Sequence, residues 1–196
     1  QVDSNAALQS AMNIYTGSTA WRVKCAADLD RDGVSDLFWQ LPASGGVVCW
    51  LMNTNGTSRS NITVSAGTVW QLKAAGDLDR DGVPDLFWQS SSGSVACWLM
   101  NTDGTVKSSM SLYSGSTAWE VCGAGDVDRD GVSDLFWQLP SSGKVTCWFM
   151  NRNGAMKSSA DVYSGTTTWL ARGTGDIDRD GAADLVWQLP SSGNVV

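Results

Sequence analysis

Four stretches of the chain read DLDRDGVSD, DLDRDGVPD, DVDRDGVSD and DIDRDGAAD. Each sets carboxylates at positions 1, 3, 5 and 9 with glycine at position 6. The carboxylates are Asp28, Asp30, Asp32 and Asp36; Asp77, Asp79, Asp81 and Asp85; Asp126, Asp128, Asp130 and Asp134; and Asp176, Asp178, Asp180 and Asp184. Alternate side chains on a tight loop can converge on one hard cation. The glycine permits the turn that brings in the carbonyl of position 7, which belongs to Val34, Val83, Val132 or Ala182. Oxygen-only ligation, with no His in the chain, selects Ca2+ or Mg2+ over zinc or copper. The charge count and the flexible loop favour Ca2+, about four ions at one per loop. Carboxylates ~4 Å apart with no cation would repel by about 4 kcal/mol per pair at an effective dielectric of ~20, so an ion-free loop is expected to be loose. Arg31, Arg80, Arg129 and Arg179 at position 4 are expected to point outward and offset charge rather than ligate. An EF-hand opens the same way but needs flanking helices and a bidentate Glu at its twelfth position. Trp39, Trp88, Trp137 and Trp187 stand there instead, so that reading fails. Solvated Asp-Gly turns are the plain alternative, and fourfold recurrence of the same four positions argues against it.

These clusters hold 16 of the 20 acidic residues. The net charge is −7, so the rest of the molecule carries +9, and one divalent cation per cluster would bring the whole to +1. The acidic balance argues against a nucleic-acid footprint. No apolar run approaches the ~20 residues of a membrane span, and no signal-peptide pattern opens the chain. Without His, the Ser-His and Cys-His dyads are excluded. With one Glu, and with its paired carboxylates committed to metal, the chain is not expected to be an enzyme.

The loops start at residues 28, 77, 126 and 176, a period of 49, 49 and 50 that fills the 196 residues. Trp21, Trp70, Trp119 and Trp169 stand seven residues before each loop, and Trp39, Trp88, Trp137 and Trp187 three residues after its last Asp. Cys-Trp pairs recur at Cys49–Trp50, Cys97–Trp98 and Cys147–Trp148. A period of 40 to 50 residues signals propellers and solenoids. The units are approximately 1–20 (partial), 21–69, 70–118, 119–168 and 169–196 (partial), within a single repeat domain spanning 1–196.

Within one unit, 21–27, 34–40, 47–52 and 58–64 are short, rich in Val, Leu, Phe, Trp and Thr, and bounded by Gly, Pro, Asn or Ser turns, which predicts four strands. The third is apolar on both faces, Val48, Trp50 and Met52 against Cys49 and Leu51, and must be covered twice. Stacked four-stranded antiparallel sheets supply that cover, so the expectation is an all-β fold, a β-propeller of four blades. A β-solenoid-like array is the alternative. Gln1 falls just after the Trp of a Cys-Trp pair and Val196 just before one. Joining the ends would therefore close a ring through a shared blade. Completion by another copy, or excision from a longer chain, explains the same boundaries.

The unit Ala-Gly-Asp-Leu-Asp-Arg-Asp-Gly-Val-Pro-Asp-Leu-Phe-Trp-Gln, with Trp before it and Cys-Trp-Leu-Met-Asn after it, resembles the FG-GAP or VCBS repeat. That resemblance implies a β-propeller with Ca2+ between the first two strands of each blade. It also implies the company of integrin α heads, bacterial secreted proteins and fungal propeller lectins. The familiar members have about seven blades; four repeats are present here.

Eleven Trp could offer stacking platforms for sugars, but recurrence at three fixed positions is what blade-to-blade packing requires, and core packing is the stronger reading. Ligand contacts are expected from exposed turn residues, Tyr15, Gln40, Tyr113, Gln138 and Tyr163. The five Cys are expected to be mostly buried free thiols, with one possible pair. Cys25 and Cys122 are expected to face opposite ways. Asn55 and Asn61 sit in glycosylation sequons. These readings converge on a secreted or cell-surface, calcium-stabilised module that binds an extracellular glycan or protein ligand, carbohydrate first or as an adhesion module. The alternative is a structural protein that self-assembles as a homo-oligomer through the split blade, as a ring or filament.

Overall fold

The computed structural model describes residues 11, 13–16, 20–165 and 169–196. Every regular element among them is a strand. Blade 1 comprises β1 (Arg22–Ala27), β2 (Asp36–Gln40), β3 (Val47–Met52) and β4 (Ser58–Ser65). Blade 2 comprises β5 (Gln71–Gly76), β6 (Asp85–Gln89), β7 (Val95–Met100) and β8 (Val106–Tyr113). Blade 3 comprises β9 (Glu120–Gly125), β10 (Asp134–Leu139), β11 (Lys144–Met150) and β12 (Met156–Tyr163). Blade 4 comprises β13 (Leu170–Gly175), β14 (Asp184–Leu189) and the short β15 (Asn194–Val195). Each sheet is antiparallel and ordered as in sequence, and β1, β5, β9 and β13 touch in succession as the innermost strands. The fold is a four-bladed β-propeller whose last blade is partial. The first strand opens one residue later than expected, at Arg22, and the second two later, at Asp36, where Asp32 accepts from the Val34 N–H and keeps that stretch in the loop.

Hydrophobic periodicity explains the stacking. Phe38, Val47, Cys49 and Leu51 on one face of blade 1 meet Leu72, Leu86, Trp88 and Met100 of blade 2. Phe87, Val95, Cys97 and Leu99 of blade 2 meet Val121, Leu135, Trp137 and Met150 of blade 3 in the same way, and Phe136, Val145 and Cys147 meet Leu185 and Trp187 of blade 4. All five residues of β6 are buried, as a strand covered on both faces requires. In contrast, Leu37 of blade 1 and all of β14 are only half-buried. The N-terminal share of a closing blade falls on residues 1–10, outside the described residues.

A buried amide joins each blade to the next. The Gln89 side chain donates to the Trp119 carbonyl (2.9 Å) and accepts from the Val121 N–H (3.1 Å). Gln40 does the same with Trp70 and Leu72, and Gln138 with Trp169 and Ala171. Gln40 and Gln138 are each 5% exposed, which corrects their expected place among exposed ligand contacts: both ends of each amide are spent on backbone. Gln89→Leu should cost about 3 kcal/mol by leaving a buried N–H and a buried carbonyl unpaired, read as a lowered urea midpoint at unchanged slope.

All five cysteines are free thiols. Cys49, Cys97 and Cys147 lie in the interblade core, where burial pushes the Cys147 thiol up to about 12. Cys25 packs on the core that blade 1 shares with blade 2 and Cys122 on the core that blade 3 shares with blade 4, so both face the next blade rather than opposite ways as expected. Cys122 is the extra residue of a bulge, which breaks the alternation on which that expectation rested.

Candidate metal centres and interblade clefts

The Asp loops connect the first and second strands of every blade. Position 1 folds the loop: Asp28 accepts from the backbone N–H groups of Asp32 (3.0 Å) and Gly33 (2.8 Å), and Asp77 and Asp126 repeat the pair. Position 5 accepts from the N–H of position 7, as in Val83 to Asp81 (2.9 Å), which fixes the peptide just before the residue whose carbonyl the sequence offers as a ligand. Position 9 is structural. Asp85 is 0% exposed and accepts from the Leu78 N–H (2.8 Å) and the Met100 N–H (3.0 Å), tying the loop to the third strand. Asp36 and Asp134 make the same two bonds. Burial outweighs those donors and pushes the Asp85 carboxyl up to about 7. Asp36 and Asp134 are raised for the same reason.

Carboxylate oxygens converge in all four loops. Asp28, Asp30 and Asp32 lie within 4.8 Å of one another, as do Asp77, Asp79 and Asp85, then Asp126, Asp128 and Asp134, then Asp176, Asp178 and Asp184. An ion ~2.4 Å from each oxygen fits that spread. One oxygen of Asp30 is buried with no hydrogen-bond partner among the described residues, which is a further place for a cation. The residues therefore fit calcium. Position 5 drops out of the group in loops 2 to 4, and position 9 in loop 1. In every loop, the first included, a basic side chain holds position 5.

Those basic side chains are what the sequence reading missed. Lys107 bridges Asp79 and Asp81, both at 2.7 Å; Arg59 bridges Asp30 and Asp32; Lys157 bridges Asp128 and Asp130. Each stands three residues after the glycine of the turn before the fourth strand (Gly56, Gly104, Gly154), a recurrence that could have revealed them. The arginines of position 4 do not simply point outward. All four have φ between 61° and 64°, a conformation uncommon for a side-chain-bearing residue. Arg31 donates to the Asp81 carbonyl (3.3 Å) of the next loop, and Arg129 pairs with Asp180 (2.7 Å). Arg80 lies across Gly131, where an added Cβ would meet its Nε at 2.6 Å. The loops are thus strapped to one another, and cationic side chains stand beside their carboxylates.

Aromatic clefts open between the blades. The ring of Tyr113 stands edge-on to Trp137 (6.1 Å) and Trp148 (6.0 Å), and these line a cleft of about 340 Å³ with Trp119, Thr146, Ser159 and Asp161. Tyr15 repeats the contact on Trp39 and Trp50 in a cleft of about 430 Å³, and Tyr163 on Trp187 in one of about 320 Å³. Val64 takes the tyrosine position in the remaining unit. The three tyrosines named from sequence are therefore brought to equivalent sites. The tryptophans divide: Trp39, Trp88 and Trp137 are buried, while the first and third Trp of each unit are half-buried, and of these Trp21, Trp50, Trp119, Trp148 and Trp169 line these clefts. The indole N–H groups of Trp39, Trp88 and Trp137 find no acceptor among the described residues.

Comparison with known proteins agrees with this geometry. The FG-GAP-like repeat matches three times in succession, over residues 28–88, 77–137 and 126–187. No curated protein matches the chain. Among solved structures, a chain in the crystal structure of TcdB2-TccC3-Cdc42 is similar at 17% identity and a TM-score of 0.45, over 74% of this chain; this chain spans 8% of that one. From the repeated aspartate loops, the four stacked sheets and the threefold match, the chain belongs to the FG-GAP-like repeat family.

Proposed function

We propose that the chain is a calcium-stabilised extracellular binding module that takes carbohydrate in the clefts between its blades. The observation that carries this reading is the threefold recurrence of one tyrosine on a tryptophan surface. The middle cleft adds the hydroxyls of Thr146 and Ser159 and the Lys144–Asp161 pair (2.9 Å) at its rim. A flat apolar floor with hydroxyl and carboxylate groups around it suits a pyranose, which presents an apolar face and a belt of hydroxyls. Calcium would be held by the carboxylates at positions 1, 3, 5 and 9 and would supply fixed positive charge to the loops. Millimolar extracellular calcium saturates even sites of ~10⁻⁴ M.

The test is a glycan array followed by calorimetry on the calcium-loaded full chain. Replacing Tyr15, Tyr113 and Tyr163 together by Ala should weaken the best glycan about tenfold, the worth of a lost aromatic contact. Silence across the array, or unchanged affinity in the triple variant, would overturn the reading. The half-buried Leu37 face of blade 1 and the half-buried β14 favour a second reading, assembly of copies through those faces. Sedimentation showing a single monomeric species at high concentration would remove it.

A further inference from the structure

The first strand of every blade carries one bulge, at the same place. Pairing skips from Val23 to Cys25 in β1, from Leu72 to Ala74 in β5, from Val121 to Gly123 in β9 and from Ala171 to Gly173 in β13. The unpaired residues are Lys24, Lys73, Cys122 and Arg172. A bulge re-aims the side chain of its extra residue, and here all four line one cavity of about 350 Å³ among the innermost strands. Three of the four are cationic, and among the described residues Glu120 is the one carboxylate in that lining. Lys73 pairs with Glu120 (3.2 Å) and the Arg172 Nε donates to Gln188 (3.0 Å). Lys24 has no carboxylate partner among the described residues. Burial, and then the neighbouring Lys73, lower its pKa.

Lys24 also borders an adjoining cavity of about 630 Å³, lined by Arg22, Ser44, Thr68 and Gln71 and, among the described residues, by no acidic one. Four cations and one carboxylate thus gather in a molecule whose net charge is −7. They stand upstream of the acidic loops, with Lys24 four residues before Asp28. Packing like charges together in a partly buried space is unfavourable unless an anion joins them. A guanidinium and two ammonium groups spread over a cavity of this size suit a polyatomic anion with several acceptor oxygens.

We propose that this axial cavity binds a multivalent oxyanion, sulfate or phosphate, either free or carried as a monoester on a sugar. The site is separate from the interblade clefts and does not depend on what they bind. Inorganic sulfate and N-acetylglucosamine 6-sulfate, titrated calorimetrically into the calcium-loaded full chain at constant ionic strength, test it against sodium chloride. Both sulfates should bind. Lys24→Met with Lys73→Met should weaken binding about tenfold or more, the loss of charge-assisted hydrogen bonds. Glu120→Gln should tighten it several-fold, a gain that damage to the fold would not produce. An ester that binds tighter than inorganic sulfate identifies a sulfated glycan as the ligand, and equal affinity identifies the free ion. Heats no larger than those of chloride, or one affinity in all three proteins, would overturn the proposal.

Discussion

Replacing Asp85 by Leu should destabilise the protein by about 3 kcal/mol in chelator, and by more in calcium, where a ligand is lost as well. The carboxylate is fully buried and accepts one N–H from Leu78 and one from Met100. A leucine leaves both donors without a partner, at roughly 1–3 kcal/mol each, and recovers part of that by removing a buried polar group. In a domain of this size the loss corresponds to about 6–12 °C in the melting midpoint. Asp79→Asn makes the contrast. Its oxygens face Lys107 and the Asp81 N–H at the loop surface, so in chelator the change should cost under about 1 kcal/mol. With calcium present it removes one charged ligand and should abolish the calcium response of that loop. Thermal melts of both variants, with and without chelator, separate the two roles. An Asp85→Leu defect that disappears in chelator would mean that Asp85 acts only as a metal ligand.

That contrast also shows what spacing alone could reveal. The four carboxylates of a loop look equivalent in sequence, yet Asp28 folds the turn, Asp36 stitches it to Met52 and Asp30 is left with a free oxygen. Period and alternation were legible because they arise from contacts that repeat in every unit. The third strand, Val47–Met52, falls where its double-sided apolar pattern put it. Contacts between units were harder to read. Gln40 looks like a surface glutamine until blade 2 is placed beside it, and Arg31 looks like a solvated turn residue until the next loop lies across it. Lys107 meets Asp79 only after the chain has run out along β6, back along β7 and turned into β8. The bulge at Lys24 breaks the period-two alternation within its own strand, so the hydrophobic pattern is uninformative there.

Chelation should lower the melting midpoint, and it should do so unevenly along the chain. Calcium at a hundredfold excess over its dissociation constant stabilises the native state by about 2.7 kcal/mol per site. Full cooperativity among four sites would make the total large, but a repeat array sums unit stabilities and neighbour interfaces, and its end unit can open alone. Blade 4 is the place to look. Blades 1 to 3 each place Arg59, Lys107 or Lys157 from their own fourth strand on the loop carboxylates. Blade 4 has three strands among the described residues, and the cation reaching its loop is Arg129 of blade 3. Its Asp176 and Asp178 are exposed and its β14 is half-buried throughout, so it has the least to hold it without an ion. Hydrogen exchange after chelation should therefore accelerate first across 176–189, while the amides of β6 and β10, buried on both faces, stay protected. A midpoint insensitive to chelator would overturn the calcium assignment for every loop. A midpoint that falls with equal acceleration in all four blades would keep calcium and discard the idea that Arg59, Lys107 and Lys157 stand in for it.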